Sequence, residues 1–553
     1  MDKKPNSKPN ASSNILTAAL LGALSALSVI GILSLGESWF GFAFVPFDIF
    51  DWMARTLPGW IIGNVISVMV AIIGFLQGFL PIGDISTTAK LAEQGIAILQ
   101  LIIGGALFGA VLGWLNSRPD RKIAIYGVIG GLFLLAATLM IESSLGNPQA
   151  AGTGSLWLAL VFVGWGWGLA WLIQRTPQKA AAAEQQLSRR QFITVSGASL
   201  AAAALGAWGL GKIFGGDSGL PAVAQATPAP FSGDDPFGAG LTSGPAASPS
   251  AAQLEARPPT VQGTRPELTA NEDFYRIDIN TRPAQVDGEA WRLRVTGLVD
   301  SPLELTLDEI RGMPAQTQIL TMQCISNPIG GDLTSSSRWT GVRFADLLTE
   351  AGVQASAAGA YITSTDGFYE FVTMEDIQDE RCLLVYEMNG ESLPEEHGFP
   401  LRVYIPNRYG MKQPKWIQDI ELVAERIPGY WVDRGWDREA FVNTVSVVDT
   451  VVVDPDQGDN GMALAGGIAW ASERGISKVE VQVDDGDWQA AELISPPLSS
   501  LTWMLWRFAW PYVPGGHTIS VRAYDGSGEL QTAERRGTAP SGATGLHSAS
   551  VNI

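Results

Sequence analysis

The stretch Ile319–Leu348, ILTMQCISNPIGGDLTSSSRWTGVRFADLL, decides how the rest of the chain is read. It opens as an apolar run ending in Cys324, passes through a loop rich in Gly, Asn and Ser, and closes on Arg338-Trp339-Thr340-Gly341. An amphipathic helical pattern follows from Val342 to Leu348. A thiol at the end of a buried strand, with flexible polar chain after it, can meet a ligand at the protein surface. The chain carries only two cysteines in 553 residues.

Three chemistries are open to that thiol. A buried free cysteine packs as a small hydrophobe. A Cys324–Cys382 disulfide can form if the domain lies outside the cytoplasm. As a thiolate, the sulfur suits a transition metal. Cys382 sits in the apolar, strand-like run ERCLLVYEM and reads as core packing. No C-x-x-C, His-x-x-x-His or Cys/His cluster occurs, which argues against a closed zinc site. A metal held by Cys324 alone must take its other ligands from a cofactor.

Further stretches stand in order around this one: NEDFYRID (271–278), WRLRVTG (291–297), YEMNGESLPEEHGFPLR (386–402), Tyr409-Gly410, Lys415-Trp416 and Tyr430-Trp431. Together they resemble the molybdenum-binding domain of the sulfite oxidase family of molybdopterin oxidoreductases. The resemblance implies that Cys324 and one pterin dithiolene hold the metal. It also implies that Phe274, Tyr275 and Arg276 line pterin and substrate, and that Asp366 contacts the pterin. The cofactor phosphate needs fixed cations and N–H donors; the matching positions are His397, Arg402 and Lys415, with Gln413 and Pro414 beside the lysine. The implied chemistry is oxygen-atom transfer, to which the protein contributes ligation, positioning and field. Arg276 is expected to face the substrate and stabilise anionic character.

Two positions depart from the sulfite oxidase pattern. Five residues after Cys324 an arginine is replaced by Ile329, and the active-site tyrosine is replaced by Trp436. Losing a cation and a hydroxyl favours a less charged S-oxide or N-oxide over a small dianion such as sulfite. Arg338 and Arg434 are the cations able to compensate.

The length suggests about three to four domains. A net charge of −19 argues against nucleic-acid binding. Residues 14–36, 56–83, 94–117, 123–141, 143–174 and 191–211 each lack Asp, Glu, Lys and Arg, and each is long enough to cross a bilayer. Gly104, Gly105, Gly109, Gly127, Gly130 and Gly131 fall where helices are expected to approach closely. Glu37 to Arg55 is aromatic and broken by Pro46, Asp48 and Asp51, so it reads as interfacial or re-entrant. Basic residues at 3–8, 118–122 and 175–190 mark cytoplasmic segments, although three spans do not reconcile the first two. Either Trp39–Phe50 inserts or the N-terminus is outside. Intramembrane charges, the mark of a transporter, are absent from the runs.

Ser188-Arg189-Arg190-Gln191-Phe192-Ile193 before an apolar run resembles a twin-arginine export signal, or is the basic inner end of a last transmembrane helix. Both readings put the C-terminal remainder of the chain on the extracytoplasmic side. Ala224-Gln225-Ala226 resembles a cleavage site whose use would detach the membrane part. The expected layout is a polar tail (1–13), transmembrane helices (14–174), a cytoplasmic segment (175–190), a last signal-like helix (191–214) and a linker (215–262). A molybdopterin-binding domain (263–442) and a dimerisation-type domain (443–553) complete it. The fold class is thus multi-domain: an α-helical transmembrane region, an α+β molybdopterin domain and an all-β immunoglobulin-like sandwich. The alternation of Lys478–Trp488 with its Asp-Asp-Gly turn, and the runs 503–510 and 518–524, carry the last reading.

The three histidines are 397, 517 and 547, all beyond the membrane part, and no C-x-x-C-H occurs. No haem is therefore expected. The electron partner is expected to be a separate carrier, a cytochrome or a quinone-linked membrane protein. No Gly-x-Ser-x-Gly elbow supports a hydrolase. The competing reading is a non-catalytic, membrane-tethered cofactor-binding or interaction module.

Overall fold

The computed structural model describes residues 11–57, 61, 85–118, 122–145, 152–175, 249–453 and 461–553. Most of the run 56–83, the twin-arginine motif, the helix 191–214, the cleavage-like site and the linker up to 248 lie outside the described residues. The chain divides into two compact units; among the described residues these are 11–57 with 90–175, and 249–553 with 85–89.

The first unit is helical. Four of its helices, over Ile15–Phe40, Lys90–Asn116, Ile123–Leu145 and Thr153–Arg175, are long and apolar enough to cross a membrane. Their large apolar side chains point outward: Phe133 is 72% exposed and Leu160 69%. Such a surface suits lipid and not water. Small residues face inward. A Cβ on Gly105 would lie 2.7 Å from the Gly22 carbonyl oxygen, and one on Gly127 2.2 Å from that of Gly166. The expectation of close approach therefore holds for Gly105, Gly109, Gly127 and Gly131, whereas Gly130 packs on the Phe108 ring and Gly104 meets nothing within 4 Å. The aromatic segment forms a helix, Val45–Thr56, with Pro46 in its first turn, where a missing N–H goes unused. At 12 residues it covers about 18 Å, too little to span. One sequence expectation needs correcting. Helix Ile123–Leu145 runs past its uncharged stretch and buries Glu142.

The second unit holds two layered parts. Its first sheet has the order β2-β1-β10-β5-β6, from β1 (Leu293–Gly297), β2 (Leu303–Leu305), β5 (Gly359–Ser364), β6 (Tyr369–Thr373) and β10 (Ile417–Val423). The second has the order β3-β4-β7-β8, with β9 on β7. Its strands are β3 (Ala315–Gln323), β4 (Thr334–Arg343), β7 (Leu383–Met388), β8 (Glu391–Ser392) and β9 (Arg402–Tyr404). Both sheets and helix Phe344–Ala351 share one core containing Leu293, Val342, Phe344, Leu347, Leu384 and Ile420. Helix Leu307–Arg311 begins at a capping box between Thr306 and Glu309. Cys382 lies in this core, fully buried, and both cysteines are free thiols. The disulfide option is closed in this structure.

Beyond Asn443 the chain is β-rich and antiparallel. One sheet has the order β11-β12-β16-β15, from β11 (Val445–Val453), β12 (Met462–Trp470), β15 (Glu492–Leu493) and β16 (Met504–Pro511). The other has the order β14-β13-β17-β18, from β13 (Ile476–Val483), β14 (Gln489–Ala490), β17 (Gly516–Asp525) and β18 (His547–Asn552). Ala465 and Trp506 of the first sheet meet Val481 and Val521 of the second in a common core, which defines a sandwich. The expected hairpin is present: Val481 pairs with Gln489.

Candidate functional site

The site grows from the β3–β4 hairpin. These strands pair from Ala315↔Val342 to Gln323↔Thr334, so Cys324 is the first residue of the connecting loop. Its N–H donates to the Leu333 carbonyl (2.9 Å) and its Sγ lies 3.1 Å from Ser326 Oγ. Burial pushes the thiol pKa up, against the Ser326 hydroxyl, the N–H groups of Ser326 and Ile325, and Lys415. A thiolate here depends on a positive partner.

Positive partners are close. Arg402 is buried, donating to the His397 carbonyl (3.0 Å) and the Met322 sulfur (3.5 Å), with its guanidinium 5.0 Å over the Trp339 ring. Its Nε finds no partner among the described residues, and neither does Trp339 Nε1 or the acceptors Gln323 Oε1 and Gln413 Oε1. Desolvation pushes Arg402 down to about 10. A buried cation whose hydrogen bonds go to a carbonyl and a thioether is an uncompensated charge, and such charges need an anion. Arg276 and Lys415 both lie on the buried carboxylate of Asp278, at 2.8 and 3.4 Å. Gly398, between Lys415 and Arg402, has φ +112°, and a Cβ there would lie 3.0 and 3.2 Å from theirs. This cradle of orphaned donors and acceptors fits a pterin carrying an anionic phosphate.

Phe274 and Tyr275 pack together next to it. Phe274 stacks on Tyr275 (5.3 Å) and meets Trp339 (5.4 Å) and His397 (5.2 Å) edge-on. The Tyr275 N–H donates to Ser335 Oγ at 3.1 Å. Burial raises the Tyr275 pKa, so its hydroxyl stays protonated.

Other expected site residues have more local roles. His397 is pushed down to about 3 by burial, helped by Lys415, Arg402 and Arg276. It is therefore neutral, and its Nε2 donates to the Asn271 carbonyl at 2.9 Å. The ring nitrogen left to meet a ligand is Nδ1. Asp366 caps its own turn, accepting the Phe368 N–H at 2.9 Å, while the neighbouring Thr365 N–H donates to the Trp416 carbonyl. Gln413 bonds the carbonyls of Ile405 (3.3 Å) and Arg408 (3.0 Å), and Pro414 accepts the Val403 N–H (2.9 Å). Together they fix the turn that presents Lys415, whose Nζ donates to the Glu396 carbonyl at 2.9 Å.

The two departures from the family pattern fall together. Trp436 and Ile329 pack against one cluster with Ile325, Tyr409, Met411 and Trp431. The two arginines expected to compensate are Arg338 and Arg434. Arg338 pairs with Ile319 four residues down the hairpin, roughly 13 Å from the loop mouth. Arg434 lies on the Tyr430 ring at 3.5 Å. Sequence reasoning gave no role to Asp278, which holds Arg276, nor to the buried Lys412–Glu370 ion pair (2.5 Å) behind the site. Asp278 lies inside the NEDFYRID stretch, but the contact of Lys412 with Glu370 across 42 positions leaves no local signal.

A strand-end thiol and an anion cradle, on two β-sheets followed by a sandwich, fit a cofactor-binding oxidoreductase. Residues 280–431 match the family described as the oxidoreductase molybdopterin binding domain. The chain is 33% identical over 171 residues to an uncharacterized oxidoreductase, YuiH, of Bacillus subtilis, covering 31% of this chain and 84% of that one. It is 27% identical over 316 residues to human mitochondrial sulfite oxidase, covering 48% of this chain and 57% of that one. It is 29% identical over 153 residues to an Azospira oryzae protein named as a candidate subunit, YedZ1, of a protein-methionine-sulfoxide reductase, covering 28% and 56%. The chain belongs to the sulfite oxidase family of molybdopterin oxidoreductases. It spans little more than half the length of the mitochondrial relatives it matches.

Proposed function

We propose that the protein is a membrane-anchored, extracytoplasmic molybdenum enzyme that transfers an oxygen atom to or from a small S-oxide, N-oxide or sulfite-like substrate. The observation that carries this reading is the buried, uncompensated Arg402, bonded to the sulfur of Met322 two residues before Cys324. When bound, molybdenum–molybdopterin supplies the two-electron oxygen-transfer chemistry. Cys324 would hold the metal, and Arg402 and Lys415 the phosphate. Phe274, Tyr275 and the His397 Nδ1 would bound the pterin, and Asp278 would keep Arg276 pointing at the site. The apolar wall of Ile329, Trp431 and Trp436 favours a neutral S-oxide over sulfite.

Membrane anchoring rests on the four apolar helices, and the extracytoplasmic side on the basic segment 175–190. The electron partner is a separate carrier. Support for this comes from His397, His517 and His547 all lying in the second unit, beyond the four apolar helices. We take the sandwich to be immunoglobulin-like and suited to forming a homodimer, and keep the domain boundaries as read from sequence.

The test is metal analysis of the full chain from a molybdenum-replete host, wild type beside Cys324→Ser, with steady-state turnover of methionine sulfoxide and sulfite measured on the same preparations. About one molybdenum per wild-type chain and background in the variant are expected. A metal-free wild type would return the protein to a non-catalytic, tethered module, and fast sulfite turnover would overturn the substrate preference.

A further inference from the structure

The loop after Cys324 is held in part by the sandwich and by the segment laid along it. Within the loop, Asn327 Oδ1 accepts the Leu333 N–H (3.0 Å) and the Gly331 N–H donates to the Pro328 carbonyl (3.0 Å). These bonds fix its shape but not its position over the site. Beside the packing of Ile325 and Ile329, three residues distant in sequence hold it in position. Arg265 donates from Nε to Asp449 Oδ1 (2.9 Å) and from its backbone N–H to Oδ2 (3.1 Å), and it reaches the Gly331 carbonyl (3.3 Å). Asp449, on β11, is the carboxylate that holds this guanidinium; its side chain is 5% exposed. His547 opens β18, and its Nδ1 accepts the Val448 N–H at 3.1 Å. That bond places the ring proton on Nε2 and fixes the ring plane. The ring edge rests on Gly330, where a Cβ would lie 2.4 Å from both Cδ2 and Nε2. Gly330 has φ +79°, a left-handed conformation in which glycine is unstrained and no side chain separates loop from imidazole.

Arg265 ends a segment laid along the sandwich. Val261 is buried, Thr264 packs on Gly466, and Arg507 reaches the Pro259 carbonyl at 3.5 Å. The segment, β11 and β18 therefore converge on one side of the cysteine loop.

We propose that Arg265, Asp449 and His547 form a clamp that positions the loop 325–332 and so keeps the Cys324 sulfur at the end of β3. All three are positioning residues. The sandwich and the segment entering it are thereby part of the construction of the metal site, a role separate from dimerisation. The inference rests on Cys324 being the working thiol of the site, but its test does not need the metal.

Metal-free full chain in detergent, from a host unable to make molybdopterin, is treated with iodoacetamide, and both cysteines are followed by mass spectrometry. Cys382, fully buried in the neighbouring core, reports on global opening, and Cys324 on the loop. His547→Ala and Arg265→Met are each expected to speed Cys324 labelling by roughly ten-fold or more through local opening, with Cys382 unmoved. His547→Asn, which retains an acceptor for Val448, should recover part of the protection and covers the case in which the alanine variant does not fold. Unchanged Cys324 labelling, or Cys324 and Cys382 accelerating together, would overturn the clamp. A wild type that binds no molybdenum, yet shows selective Cys324 protection by the clamp, would sink the functional reading and leave the clamp standing.

Discussion

Two sets of side chains of opposite character meet the stretch 322–329 that carries Cys324. One is charged and buried: Arg402, with Arg276 and Lys415 tied to Asp278. The other is apolar: Ile325, Ile329, Met411, Trp431 and Trp436. The charged set contains orphaned donors and acceptors, so it is complete only with a ligand. The apolar set is self-sufficient, its side chains packed on one another. A protein tolerates a buried unpaired cation only where function demands it, whereas an apolar wall selects by excluding charge. On the proposed function the first set is the cofactor-binding half and the second the substrate-selecting half, and each can be broken separately.

The largest effect is expected on the charged side. Arg402→Met keeps much of the side-chain volume and removes the charge. Cofactor retention through purification should fall more than about ten-fold, because a charge-assisted contact to phosphate is among the stronger hydrogen bonds. The metal-free variant should unfold at the same temperature as wild type or higher, since replacing buried charge by packed hydrocarbon is neutral or stabilising. Metal analysis and thermal unfolding of the same two preparations decide it. A variant that retains cofactor, or one that is less stable when metal-free, would mean that Arg402 is a structural cation.

A smaller effect is expected on the apolar side. Ile329→Arg places a cation on the loop beside Trp436, where the ring face can accept it. Sulfite kcat/KM should rise by about ten-fold and the KM for methionine sulfoxide should increase, because the new charge rewards an anion and must be desolvated for a neutral substrate. Steady-state kinetics with both substrates read this directly. Equal changes for the two substrates would show that the wall does not discriminate by charge.

Much of this contrast was legible in the sequence, for identifiable reasons. Cys324 stood at the end of an apolar run before a flexible loop, and Phe274, Tyr275, Arg402 and Lys415 lay in ordered stretches. The replacement of a cation by Ile329 needed no coordinates. The hairpin at Asp484–Gly486 and the helix after Thr306 declared themselves by turn and capping chemistry. Long-range pairing was not legible. Arg265 meets Asp449 across 184 positions and Lys412 meets Glu370 across 42, and no local pattern encodes such contacts. Charge states were also hidden. The burial of His397 and its three cationic neighbours, which press its ring toward neutrality, come from distant parts of the chain.

The neutrality of His397 gives the smallest and most specific test of the charged half. The folded pKa of His397, about 3, lies below the unfolded value near 6.5. Above about pH 6.5 the ring is neutral in both states, and its contribution to stability is fully present. As the pH falls from there toward about 3, the unfolded chain takes up a proton that the folded one refuses, and stability is lost by up to about 1.4 kcal/mol per pH unit. His397→Gln retains an N–H donor for the Asn271 carbonyl but cannot titrate. Its unfolding temperature in the metal-free state should therefore decline less steeply than wild type between about pH 6.5 and 4, with the two curves parallel above. If the curves stay parallel throughout, His397 is protonated in the fold. The cations around it would then be less crowded than the uncompensated Arg402 implies, and the charged half would be weaker as an anion site.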